Sequence, residues 1–174
     1  MPRKYVLDTN LYIDAIRNSL KERALEGFLE RNAPMTYMSA VVMQELRAGA
    51  VTDAQAKVLQ DGIFDVFERR NRVVGPSAIA FKDCGRILAT LFRQDGVPYK
   101  DRPRSLVNDI LIAITCRENG FTLLTANEDF TMIRPHLRGF AHAPPWPAHA
   151  NPRRRTERLG SNRCRRYRAR GIHE

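Results

Sequence analysis

Near its start the chain reads Lys4–Tyr5–Val6–Leu7–Asp8–Thr9–Asn10, three β-favouring apolar residues followed at once by an acid. No turn residue interrupts the apolar run, so it is expected to be a short strand buried on both faces, as the central strands of parallel sheets are. The abrupt change at Asp8 puts a carboxylate where that strand stops. In an open parallel α/β sheet this edge holds the ligand, because adjacent loops part there and helix N-termini point in.

The rest of the chain alternates to match. Leu11, Ala15 and Ile16 recur at helical spacing through residues 10–17, and Leu25, Phe28 and Leu29 do so through residues 21–31. Pro34 breaks the chain before a short apolar run at 35–38, read as a second strand. Ser39 is placed to cap a helix over 40–48, with Gly49 just past its end. A broad apolar side predicts a helix over 53–69, Val73 and Val74 a short edge strand, and residues 76–93 a long helix. Ser105 is read as the N-cap of a helix over 106–118 ended by Gly120, residues 121–124 as a strand, and Asp129 as part of a short helix anchored by Phe130. Past Phe140, the proline-rich stretch 143–147 marks the end of the compact part, with Trp146 folded back on it. This order predicts an α/β fold with a central parallel sheet flanked by helices over residues 1–142. Residues 143–174 are expected to form a flexible tail, first Pro-rich and then Arg-rich.

At 174 residues the chain suits one domain with such a tail. It lacks an apolar run of about eighteen residues and an N-terminal apolar leader, so neither a membrane span nor a signal peptide is expected, and the location expected is cytoplasmic. Cys84, Cys116 and Cys164 are widely spaced, and His136, His142, His149 and His173 follow no ligand spacing, which points away from disulfides and zinc. The net charge of +10 is uneven: residues 151–174 carry nine arginines, Arg153, Arg154 and Arg155 among them, against two glutamates. A basic tail suits RNA or DNA through contacts to phosphate, and charge alone leaves a merely solvated segment equally open. Lys100, Arg102 and Arg104, in the loop over 94–104, form a candidate lip for a nucleic-acid groove, with solvated loop charges as the alternative.

Four acids stand out by position. Asp8 and Asp129 follow strands, Glu45 flanks the apolar face of Val42 and Leu46, and Asp109 directly precedes the apolar run 110–114. Taken singly, Asp8 and Asp129 are explicable as helix caps and Glu45 as a surface residue. Asp109 is harder to explain, since a carboxylate entering a nearly all-apolar helix is costly to bury unless a cation or hydrogen-bond donor meets it. If the first and last strands are neighbours, the four converge, and one shared cation accounts for all of them. Hard oxygen donors of this kind suit Mg²⁺ or Mn²⁺, and the chemistry they serve is hydrolysis of a phosphodiester by a metal-activated water.

Asp8–Thr9–Asn10 after a strand, Glu45 on the third helix, Asn108–Asp109 leading into Ile–Leu–Ile–Ala, and Leu–Leu–Thr–Ala–Asn–Glu–Asp–Phe after the next strand together resemble the PIN-domain nucleases. The pattern is most similar to the VapC-like toxins of toxin–antitoxin pairs and covers about residues 4–140. The resemblance implies a three-layer PIN-like fold and endoribonuclease activity. Asp8 and Asp109 would be the main metal ligands, Glu45 and Asp129 would bind directly or through water, and Asn10 and Thr125 would orient ligands or water. It also implies a small antitoxin partner and a homodimer. Two alternatives stand beside it: a non-catalytic RNA-binding protein on the same fold, and a PIN nuclease of RNA processing with no antitoxin.

Overall fold

The computed structural model describes residues 3–146. Its first strand, β1 (Tyr5–Leu7), is wholly buried, as its uninterrupted apolar run requires. Two helices follow, α1 (Thr9–Arg17) and α2 (Ser19–Asn32), and Asn18 between them caps the second by accepting from the amides of Leu20 and Lys21. Strand β2 (Thr36–Ser39) leads directly into α3 (Ala40–Gly49), capped by Ser39 as its hydroxyl position predicts. Gly49 is the last helical residue and not the one beyond it.

The predicted helix over 53–69 is helical to Glu68 but not uniform. It consists of α4 (Asp53–Leu59), a wider π turn over Gln60–Phe64, and α5 (Asp65–Glu68). Gly62 sits in that turn, where weak helix propensity lets the backbone open, and the extra residue per turn helps bury Ile63, Phe64 and Phe67 together. Strand β3 (Val73–Val74) precedes the long helix α6 (Ala78–Asp95), which closes at Gly96 in the left-handed conformation.

Helix α7 (Arg104–Asn119) begins two residues earlier than Ser105 implies. Pro103 occupies the capping position, with no side-chain cap. From Ile110 to Cys116 every residue of α7 is buried, which makes it the internal helix its composition demands. Gly120, at φ +65°, ends it and turns the chain into β4 (Thr122–Leu124). The short α8 (Asp129–Ile133) buries Phe130 and Ile133.

A fifth strand, β5 (Ala141–Ala143), was not expected from its residues. Alanine favours strands weakly, and here the pairing to β4 decides. The strand includes Ala143, the residue at which the sequence reading starts the tail, and the Trp146 ring packs against Phe28 at 5.4 Å between centroids. The Arg-rich segment, with Arg153, Arg154 and Arg155, lies outside the described residues.

Among the described residues the sheet has the order β3-β2-β1-β4-β5 with every pair parallel. The first strand is therefore its centre, and all strand C-termini share one edge. No described helix is long and apolar enough to cross a membrane.

Candidate functional site

The carboxyl edge of β1 and β4 builds the site. The Asp8 amide donates to the Leu124 carbonyl at 2.9 Å, which continues the parallel ladder one residue past the strand. The Asp8 carboxylate is thereby fixed at the sheet edge, 3% exposed, with its carbonyl accepting from Leu11 at the start of α1. It caps that helix, since Oδ1 accepts from the Thr9 amide at 2.8 Å. Its other oxygen, Oδ2, accepts from the Thr125 hydroxyl at 2.7 Å. The capping role and a pocket role are thus held by different oxygens of one carboxylate.

Thr125 is positioned on both sides. Its amide donates to the Ala143 carbonyl of β5 at 3.1 Å, and its Oγ1 accepts from the Asn127 amide at 2.9 Å. Asn127 Oδ1 in turn accepts from the Asp129 amide at 2.9 Å, which sets the entry to α8. A short relay therefore runs from Asp129 through Asn127 and Thr125 to Asp8.

Asp109 reaches the same place from the first half of α7 and is 7% exposed. Its carboxyl is pushed up to about 7, first by burial and then by the negative charges of Asp8, Glu45 and Asp129. Asp8 is also raised. Burial is the main cause and Glu45 adds to it, while the Thr125 and Thr9 hydrogen bonds pull the other way. Glu45 is half-buried on α3. Its Oε1 accepts from Asn108 Nδ2 at 2.8 Å, and its Oε2 accepts from the Thr9 hydroxyl.

These interactions bring together Asp8, Glu45, Asp109 and Asp129, the four acids singled out in the sequence. Asp129 is the most open of them, exposed in the first turn of α8. None of the four has an ion-pair partner among the described residues. Nor are any three His, Cys, Asp or Glu side chains there grouped tightly enough to enclose an ion. The donor set instead fits Mg²⁺, which is commonly held through one or two carboxylates while keeping several waters.

The supporting residues divide. Thr125 donates to Asp8, whereas Asn10 is exposed on α1 and makes no hydrogen bond to the acids. Lys100 and Arg104 are exposed. Arg102 is not available for a phosphate-binding lip. Its side chain is only 7% exposed and its guanidinium is held by Asp95 at 2.6 Å. Asp95 also accepts from the Val97 amide, so the pair pins the loop. Sequence reasoning passed over Thr9 as a site residue and quoted Asn108 only as part of a motif. The available signal was their adjacency to Asp8 and Asp109.

Comparison with curated proteins finds no match. Among solved structures, the chain is similar to DNA-bound VapBC from Salmonella typhimurium, at 24% identity and a TM-score of 0.60, over 82% of this chain and 98% of that one. It is similar to FitAcB from Neisseria gonorrhoeae, at 20% identity and a TM-score of 0.57, again over 82% and 98%. VapBC2 from Rickettsia felis, bound to a promoter DNA fragment, is 25% identical with a TM-score of 0.51 over 80% of this chain and 97% of that one. The family model for the PIN domain matches residues 5–134, an interval that runs from β1 past α8 and contains all four acids. A match over that much of the chain, on a parallel sheet whose edge gathers those carboxylates, means that the protein belongs to the PIN domain family.

Proposed function

We propose that the protein is a metal-dependent endoribonuclease that hydrolyses RNA phosphodiester bonds and acts as the toxin of a toxin–antitoxin pair. The observation that carries this reading is the pairing of two buried aspartates, Asp8 and Asp109, beside Glu45 and Asp129 with no ion-pair partner among the described residues, which pushes the Asp109 carboxyl up to about 7. Such repulsion is tolerated where a divalent ion relieves it. Asp8 and Asp109 would hold Mg²⁺ or Mn²⁺, with Glu45 and Asp129 bound directly or through water. When bound, such an ion polarises a phosphate oxygen and lowers the pKa of a water to make it a nucleophile.

The chain's own groups do the rest. Thr125 fixes one Asp8 oxygen through its hydroxyl. Asp129, the exposed member of the cluster, would accept a proton from an incoming water. Lys100 and Arg104, together with Arg153, Arg154 and Arg155 of the tail, would grip flanking phosphates without reading sequence. The similarity to VapBC and FitAcB supports a small antitoxin as partner. A homodimer and a cytoplasmic location complete the reading.

The test is cleavage of end-labelled RNA with Mg²⁺ by the parent and by Asp8→Asn. The parent is expected to cut and the variant to lose activity by at least a hundredfold, about 3 kcal/mol in the transition state. RNA retained without metal-dependent cutting by the parent would support the non-catalytic binder instead. Growth arrest on expression, relieved by a small protein encoded alongside, tests the toxin assignment separately.

A further inference from the structure

Glu45 differs from the other acids of the site in how it is held. Its two oxygens accept from two other helices: Thr9 Oγ1 at the start of α1 donates to Oε2, and Asn108 Nδ2 on α7 donates to Oε1 at 2.8 Å. These donors are the immediate sequence neighbours of Asp8 and Asp109. Each buried aspartate therefore brings with it, one residue away, a hydrogen bond to the third acid.

The donors are uncharged, and that matters. A glutamate has three side-chain torsions and is free to swing toward water. Beside two carboxylates that already repel each other, repulsion would favour that swing. A lysine or arginine would hold Glu45 in place but would cancel its charge and compete with any cation. A hydroxyl and an amide hold it and leave the negative charge whole. The nearby Arg47 is not used for this purpose, since its guanidinium donates to the Ala50 carbonyl at the end of α3.

Resting on the metal-site reading above, we propose that Thr9 and Asn108 are positioning residues that hold the Glu45 carboxyl group in place beside Asp8 and Asp109 and so set the affinity of the pocket for a divalent ion. Both act through Glu45 and neither touches the ion.

The experiment measures Mn²⁺ binding to the full chain by calorimetry and electron paramagnetic resonance, without RNA, with thermal unfolding as a check on folding. Thr9→Val and Asn108→Leu are each expected to weaken Mn²⁺ binding by about tenfold, the scale seen when groups that orient metal ligands are removed. Thr9→Ser keeps the hydroxyl and is expected to bind as the parent does. In a Glu45→Ala background, Thr9→Val should cause no further loss, because the residue it orients is gone. Unchanged Mn²⁺ affinity in both single variants would overturn the proposal, and so would an equal loss in the Glu45→Ala background. Should Thr9→Val unfold, Asn108→Leu and its own pairing with Glu45→Ala decide the matter alone. A parent that binds no Mn²⁺ would instead sink the metal-site reading, and this proposal with it.

Discussion

Replacing Asp109 by asparagine should make the ion-free protein more stable while removing its activity. In the fold the Asp109 carboxyl ionises at about 7, against about 3.9 in an unfolded chain. An acid whose pKa is raised by folding holds its proton more tightly in the native state. Native stability is therefore unaffected well below about pH 4 and falls as pH climbs past the unfolded value. It levels off only above about pH 7, where the folded carboxyl ionises too. Three pKa units set a ceiling near 4 kcal/mol, and relaxation around the charge brings the expected loss to roughly 2–4 kcal/mol. Asparagine has the same shape and no charge, so the variant escapes that loss. Urea unfolding followed by circular dichroism, in EDTA at about pH 5, 6, 7 and 8, should show a gap between variant and parent that widens and then flattens. Mg²⁺ should then narrow it by stabilising only the parent. A gap that stays constant with pH, or a parent more stable throughout, would refute the claim that burial and neighbouring carboxylates strain Asp109.

Ending the chain at residue 150 should weaken RNA binding and flatten its dependence on salt, because nine arginines leave with the tail, while cleavage at low salt survives. Filter binding across a salt series measures this, and an unchanged slope would show that the tail does not contact phosphate. Tyr12 is fully buried and its hydroxyl has no hydrogen-bond partner among the described residues, so Tyr12→Phe should leave stability unchanged or raise it by about 1 kcal/mol. A loss of that size on chemical unfolding would reveal a partner for the hydroxyl.

Where one residue type settles a position by itself, the sequence was readable. The apolar runs of β1 and β4, the Ser39 cap, the glycine ending α7 and the all-apolar turn of α7 each follow from local chemistry. The four acids were legible because each interrupts such a pattern. What escaped notice depends on distant partners. Ala141–Ala143 is a strand because β4 offers it a ladder, and nothing in Ala–His–Ala says so. Arg102 looks like any loop cation until Asp95 folds onto it. The π turn at Gln60–Phe64 interrupts a stretch whose apolar pattern reads as one plain helix. Thr9 and Asn108 were hidden for the same reason, since their partner Glu45 lies 36 and 63 residues away.

The strand order also sets a timetable. The strand made first, β1, lies at the middle of the sheet, and the hydroxyl that fixes Asp8 belongs to a residue 117 positions later. Pairings so remote in sequence close slowly and only after the intervening chain exists. During synthesis Asp8 therefore waits, without the partners that define its surroundings, until nearly the whole domain has been made. A chain interrupted anywhere before β4 has its first acid but no assembled pocket.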